Sequence, residues 1–156
     1  MAATIPAASP RTLRMLALGV PVERAAANLP QTTQSALFTV AGGRVMITGL
    51  IGEVTTVIQA QANATKVVSN PTTGTDVDLC ATLDINGKEA GTLFGITGIF
   101  ANAMVGANAG AGIIGERKPV VPIGTIDLNC AASNTGAVKW TLFYLPIDDG
   151  ATVVAA

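Results

Sequence analysis

The chain has 156 residues, of which 49% are hydrophobic and 12% are charged, and it has a net charge of −1 and no histidine. This composition indicates one globular domain with a sizeable core and excludes a disordered chain. It gives no support for nucleic-acid binding, because the basic residues are few and scattered, and no apolar run approaches the roughly 20 residues that span a membrane. Soluble proteins usually carry about a quarter of their residues as charges, so we expect partners to cover part of this surface.

The first 34 residues are rich in alanine and proline. Four prolines interrupt this segment: Pro6, Pro10, Pro21 and Pro30. Because proline ends helices and central strands, we predict an extended basic arm over residues 1–34, with at most a short helical turn at 22–29. The arm is expected to dock on a neighbouring subunit or another protein, outside the folded domain. Its candidate partner-binding residues are Arg11, Arg14 and Arg24.

Residues 35–156 are predicted to form the folded domain. From Ala36 onward, segments rich in β-branched residues (LFTV, RVMITGLI, VTTVIQAQ and TKVVS) are separated by Gly, Asn or Pro. Such short segments with turn residues between them are typical of strands. We therefore predict an all-β fold, an antiparallel two-layer sandwich of jelly-roll or immunoglobulin-like type.

Two stretches of the domain resemble each other, VDLCATLDINGKEAGTLFGI at 77–96 and IDLNCAASNTGAVKWTLFYL at 126–145. In the first, Asn86-Gly87 between alternating apolar residues is a strong hairpin signal, and it predicts Leu79 opposite Phe94 in the core. The second, with Thr135-Gly136 as its loop, would place Leu128 opposite Phe143. One hairpin plan would then be used twice.

The register of the second hairpin turns four large side chains away from the core. These possible subunit-interface residues are Val138, Trp140, Leu142 and Tyr144. A further strand, or the arm of the same chain, could cover them equally well. The Gly-rich segment 101–119, with a helical turn near Met104, is a second candidate contact surface.

No set of residues predicts a reaction, a cofactor or a metal site. Without histidine the chain lacks the commonest general base and metal ligand. The pairs Asp76 with Asp78 and Asp148 with Asp149 are more typical of a solvated strand and a turn than of catalysis. DINGKE lacks the acidic spacing of a calcium-binding loop, and the acceptor pattern Asn63-Ala64-Thr65 is short enough to arise by chance.

The two cysteines, Cys80 and Cys130, are predicted to be free buried thiols. A chain of this size has core enough to fold without a disulfide. The predicted registers also place the two side chains on different sheet faces, where a disulfide would need a distortion.

GTDVDLCATLDINGKEAGT and PIGTIDLNCAASNTGAVKWTLFYLPIDDGA together resemble small virion structural proteins of tailed bacteriophages, over roughly residues 35–150. Within that group the chain is most similar to capsid decoration, or cement, proteins. The resemblance implies a non-enzymatic β-domain, often a homotrimer, that is made in the host cytoplasm and binds the major capsid protein of the virion with a terminal arm. It leaves tail-tube and head-fibre components open. A secreted β-sandwich that binds glycans, and an enzyme that uses carboxylates alone, are the alternatives from other classes.

Overall fold

The structure is a computed structural model that describes residues 8–107 and 110–156. Within these residues the chain forms one helix and twelve strands. Their bounds are α1 Pro10–Leu18, β1 Val20–Asn28, β2 Gln34–Ala41, β3 Val45–Thr56, β4 Ala64–Pro71, β5 Val77–Asp78, β6 Leu83–Asp84, β7 Leu93–Gly95, β8 Val105–Ala107, β9 Val120–Val121, β10 Gly124–Cys130, β11 Ala137–Pro146 and β12 Thr152–Ala155.

The strands form two antiparallel sheets that pack face to face. Sheet A has the order β1-β11-β3-β7-β8, with β9 also paired to β3. Sheet B has the order β12-β2-β10-β4-β5, with β6 also paired to β4. The predicted all-β, antiparallel two-layer sandwich is confirmed.

The core lies between the sheets, where apolar residues from alternate strand positions meet. At its centre the rings of Phe94 and Trp140 stack with 6.3 Å between their centroids. Gly52 lies on the central strand β3 and pairs with Trp140 on one side and with Phe94 on the other. A Cβ at Gly52 would lie 2.6 Å from the indole ring. The glycine in the middle of β3 therefore makes room for the tryptophan.

The two similar stretches lie on opposite sides of the same central strands. In sheet B, Asp78 and Asp127 both pair with Val68, from the two edges of β4. In sheet A, Phe94 and Trp140 both pair with Gly52, although the sequence alignment matches Phe94 with Phe143. Each stretch thus begins in sheet B and crosses to sheet A, which explains why the chain repeats the pattern.

The predicted hairpins are wrong for this reason. Asn86-Gly87 does form a turn, with the Lys88 amide donating to the Ile85 carbonyl at 3.3 Å, but the chain leaves that turn towards the other sheet. Leu79 and Phe94 share the core, as predicted, from facing sheets. The same alternation of apolar and polar residues is expected when the two strands form a hairpin in one sheet and when they lie in facing sheets. The alternation therefore cannot distinguish a hairpin from a crossing between the sheets.

The second stretch crosses between the sheets in the same way. Leu128 pairs with Ser35 and Val67 in sheet B, whereas Phe143 belongs to sheet A. The side chains predicted to face outward point into the core: Val138 is 1% exposed, Trp140 2%, Leu142 0% and Tyr144 6%. That prediction is wrong, and burial within one protomer leaves these four residues no surface for a subunit contact. The opposite face of β11 carries Lys139 and Thr141, followed by Phe143 and Leu145. Only the second half of the strand is therefore apolar on both faces, and the prediction took its orientation from that half.

The N-terminal segment is not one extended arm. Residues 10–18 form α1, in which the Ser9 hydroxyl accepts a hydrogen bond from the Thr12 amide at 3.2 Å and Pro10 occupies the first turn. Both features favour a helix start. Residues 20–28 form β1, which pairs with β11 as the edge strand of sheet A, where Pro21 is tolerated. The sandwich therefore begins at Val20, the predicted helical turn at 22–29 is a strand, and residues 1–7 lie outside the described residues.

The described part of the Gly-rich segment, which we call the strap (residues 110–119), crosses the outer face of sheet A. The amides of Glu116 and Arg117 both donate to the Thr97 carbonyl, at 2.8 and 2.9 Å. A Cβ at Gly95 would collide with the Ile113 carbonyl, so the strap approaches the sheet where side chains are missing. Met104 precedes a short strand, β8, and the predicted helical turn is absent there; residues 108–109 lie outside the described residues.

We expect Gly95→Ala to lift the strap from sheet A and to lower stability by about 1–3 kcal/mol, which is typical of overpacking. A urea or thermal unfolding curve measures the change. Gly87→Asn is the control, because no atom lies within 4 Å of a Cβ at Gly87 and asparagine tolerates its positive φ of 62°. Equal losses for the two variants would contradict close packing at Gly95.

Candidate functional site

The most exposed apolar surface of the described chain is helix α1. None of its nine residues is buried, and Leu13 and Leu16 are 56% and 79% exposed. These two leucines lie one turn apart on one side of the helix, and Arg11 and Arg14 lie one turn apart on the other. A helix this short is marginal by itself in water, so an exposed amphipathic helix of nine residues is suited to packing against a partner.

The end of α1 is anchored to the sandwich. The Thr48 hydroxyl donates a hydrogen bond to the Leu18 carbonyl, and the Gly19 amide donates to the Met15 carbonyl at 2.9 Å. Gly19 has a positive φ of 88° and passes so close to the Tyr144 backbone that a Cβ would collide with it. The glycine thus turns the chain from α1 into β1 and sets the direction in which the helix leaves the domain.

The three arginines predicted to lie on one arm lie on two different elements. Arg11 and Arg14 are exposed on α1, and no ion pair to either occurs within residues 8–107 and 110–156. Arg24 belongs to β1, where its Nε donates to the Ala156 carbonyl at 3.3 Å. Arg24 therefore links the edges of the two sheets, and the prediction that it belongs to a free arm is wrong.

A second apolar surface, which we call the edge groove, lies where β5 and β9 approach each other. Its exposed members are Val77, Phe100 and Val120, each about half exposed. The groove encloses about 230 Å³ and is completed by Ser69, Pro71, Leu79, Val121 and Pro122. Its wall is almost wholly apolar, which favours contact with another apolar surface.

Members of both carboxylate pairs considered in the sequence are held by other side chains. Asp78 is paired with Lys66 at 2.6 Å, whereas Asp76 accepts a hydrogen bond from the Gln34 amide. Asp148 forms a two-point ion pair with Arg44, with oxygen to nitrogen distances of 2.7 and 2.9 Å. The hydrogen bond from Arg44 holds the pKa of Asp148 well below its usual range, so this carboxylate stays ionised.

The Arg44–Asp148 pair should make a pH-dependent contribution to stability. Because the pKa of Asp148 is lower in the folded than in the unfolded chain, the contribution is present above about pH 4 and declines as the pH falls towards the folded value. We expect Arg44→Met to lower the melting temperature slightly at neutral pH, since both groups are partly exposed and water screens them. The difference from wild type should narrow steadily below pH ~4. A difference that stays constant on acidification would contradict this role.

The two cysteines and the acceptor Asn63 are enclosed by the fold. Cys80 and Cys130 are free and buried, as predicted, and burial raises the pKa of both thiols. Asn63 is 1% exposed, and its amide donates to the Ala132 carbonyl and to the Asn134 side chain. The acceptor pattern at Asn63 is thus a structural bridge between two loops.

The sequence analysis missed two features that the structure shows. One is helix α1, although Ser9-Pro10 is a helix-start signal and the leucines recur at helical spacing. The other is Asp127, a strand carboxylate that is only 3% exposed. Its burial depends on neighbours from other strands, and no local sequence signal could have shown it.

Two negative findings apply to the described residues. They contain no group of three or more His, Cys, Asp or Glu side chains that could hold a metal ion. No helix among them has the length and apolar character needed to cross a membrane.

Comparison of the chain with protein-family models, with curated proteins and with solved structures finds no match.

Proposed function

We propose that the chain is a non-enzymatic structural protein of a bacteriophage virion, a capsid decoration protein that binds the major capsid protein through helix α1. The observation that carries the proposal is the exposure of Leu13 and Leu16 on a helix that has no buried residue and whose end is held to the sandwich by the hydrogen bond from Thr48 to Leu18. Leaving two leucines in water has a cost of about 1.5–3 kcal/mol each, which a docked helix recovers.

The sandwich supplies the second property that this role needs. Its two sheets enclose one continuous apolar core. The strap, the turns and the last residue of the chain are bound to the sheets by backbone hydrogen bonds. Such a rigid body with a short attached helix suits a protein that covers a shell and is held by one small contact. The sequence resemblance to decoration proteins agrees with this arrangement, and tail-tube and head-fibre components stay as related alternatives.

We also propose that the protein self-associates. The core position of Trp140 and its neighbours removes the interface predicted from the sequence, so another surface must serve. The apolar edge groove and the strap, which carries both isoleucines and charged residues, are the remaining candidates, and a homotrimer is the state that the resemblance implies. A glycan-binding role would need exposed aromatic rings along a polar groove, whereas the edge groove offers only Phe100 among aliphatic side chains.

The proposed function is tested by sedimenting purified protein with phage particles that lack it. We expect saturable binding at a fixed number of copies per shell, because decoration sites repeat with the capsid lattice. Tails separated from the heads provide the comparison. Binding to tails alone would favour a tail component, and binding to neither part would overturn the proposal.

A further inference from the structure

The outer face of sheet B carries a polar cluster around a buried carboxylate. We call it the Asp127 cluster; its members are Gln34, Asn70, Asp76, Asp127 and Asn129. Asp127 lies on β10, whose neighbouring residues Ile126 and Leu128 belong to the core, so its own side chain leaves the sheet on the outer face. It is nevertheless only 3% exposed.

The hydrogen bonds of the cluster use one oxygen of each carboxylate. Asp127 Oδ2 accepts from Gln34 Nε2 at 2.9 Å and from Asn70 Nδ2 at 3.1 Å. The same Gln34 nitrogen donates to Asp76 Oδ2 at 2.9 Å. One neutral amide thus bridges two carboxylates, and Asn129 in turn donates to the Gln34 amide oxygen at 3.2 Å.

Within the described part of the chain, the other carboxylate oxygen of Asp127 has no hydrogen-bond partner. Oδ1 is fully enclosed and accepts no hydrogen bond within residues 8–107 and 110–156. No lysine or arginine of the same described ranges lies within 4.0 Å of Asp76 or Asp127, and Lys66, on this face, is already paired with Asp78. A buried carboxylate with an unsatisfied oxygen and no counter-charge is strongly disfavoured, because burial removes the water that stabilises its charge.

We propose that the Asp127 cluster binds a hard cation, for which Ca²⁺ is the probe. Calcium prefers oxygen ligands and combines carboxylates with amide oxygens and water in a flexible geometry. Asp127 Oδ1 and the exposed Asp76 supply the charged ligands. Asn70, whose side-chain nitrogen donates to Asp127 Oδ2, supplies a neutral oxygen once its amide rotates towards the ion. With only two carboxylates, the affinity should resemble that of extracellular calcium modules, about 0.1–1 mM.

The proposal is tested by thermal unfolding of the full chain, with chelator or with about 10 mM CaCl₂, a concentration roughly 10 to 100 times the expected dissociation constant. Potassium chloride at equal ionic strength controls for screening. We expect calcium to raise the melting temperature of the wild type by about 3–10 °C. The same shift with potassium chloride, or no shift at all, would overturn the proposal.

Two variants assign the shift to the cluster. Asp127→Asn and Asp76→Asn should each abolish it, and Asp76 is exposed, so its variant should fold even if Asp127→Asn does not. Asp149→Asn removes an equal charge from an exposed turn and should keep the full shift. A calcium shift that survives in Asp76→Asn, or disappears in Asp149→Asn, would place the cation elsewhere and refute this site.

Discussion

Replacing Trp140 with alanine should destabilise the protein by about 3–5 kcal/mol, a large part of the stability of a single domain. The indole is 2% exposed, stacks on Phe94 and fills the space left by Gly52, so its loss opens a cavity at the centre of the core. Neighbouring strands are fixed by their ladders and cannot collapse into the space. The midpoint of urea unfolding measures the loss, and an unchanged slope shows that the folded state remains compact.

Leu145→Ala is the matched control for Trp140, because Leu145 lies on the same strand and is 42% exposed. We expect it to change stability by about 1 kcal/mol or less, since a large part of its side chain is already in water. A Trp140→Ala protein that kept its stability but lost its oligomeric state would instead place the tryptophan at a subunit contact, which would contradict the core position.

The double replacement Leu13→Ser with Leu16→Ser should weaken binding to particles by about 100-fold or more and leave the melting temperature unchanged. Two leucines buried at an interface contribute about 3 kcal/mol or more, which corresponds to that factor. Their side chains are exposed in the protomer, so folding does not depend on them. Sedimentation with particles over a range of protein concentrations gives the apparent affinity.

The control for the helix variant is Val57→Ser with Val154→Ser. Both valines are 56% exposed and lie on the sandwich, so the change removes a similar amount of apolar surface from elsewhere. It should leave binding intact. Equal losses of binding in the two double variants would mean that surface hydrophobicity in general, and not α1, holds the protein to the shell.

The fold class could be predicted because alternating β-branched residues and turns recur along the whole domain. The burial of Leu79 and Phe94 followed from the same alternation. Strand partners could not be predicted, because a turn such as Asn86-Gly87 fixes a change of direction and not the sheet that the chain enters next. Each of the longer strands β3 and β4 pairs with one of the two similar stretches on one side and with the other stretch on its other side. No local sequence pattern reveals this arrangement.

The candidate site could be predicted only in part. Arg11 and Arg14 were expected to contact a partner, and they remain exposed in the structure. Helix α1 was missed because the prolines around it suggested extended chain, although Pro10 at the first turn favours a helix. Trp140 was misplaced because the second half of β11 is apolar on both faces, where orientation is decided by tertiary packing.

The most direct test of the proposed role of α1 is a cryo-electron microscopy map of particles that carry the protein. We expect density for the sandwich on the outer surface of the shell, with α1 packed against the major capsid protein and Leu13 and Leu16 at the contact. A map with the sandwich attached while α1 points into solvent, or a shell without this density, would contradict that role.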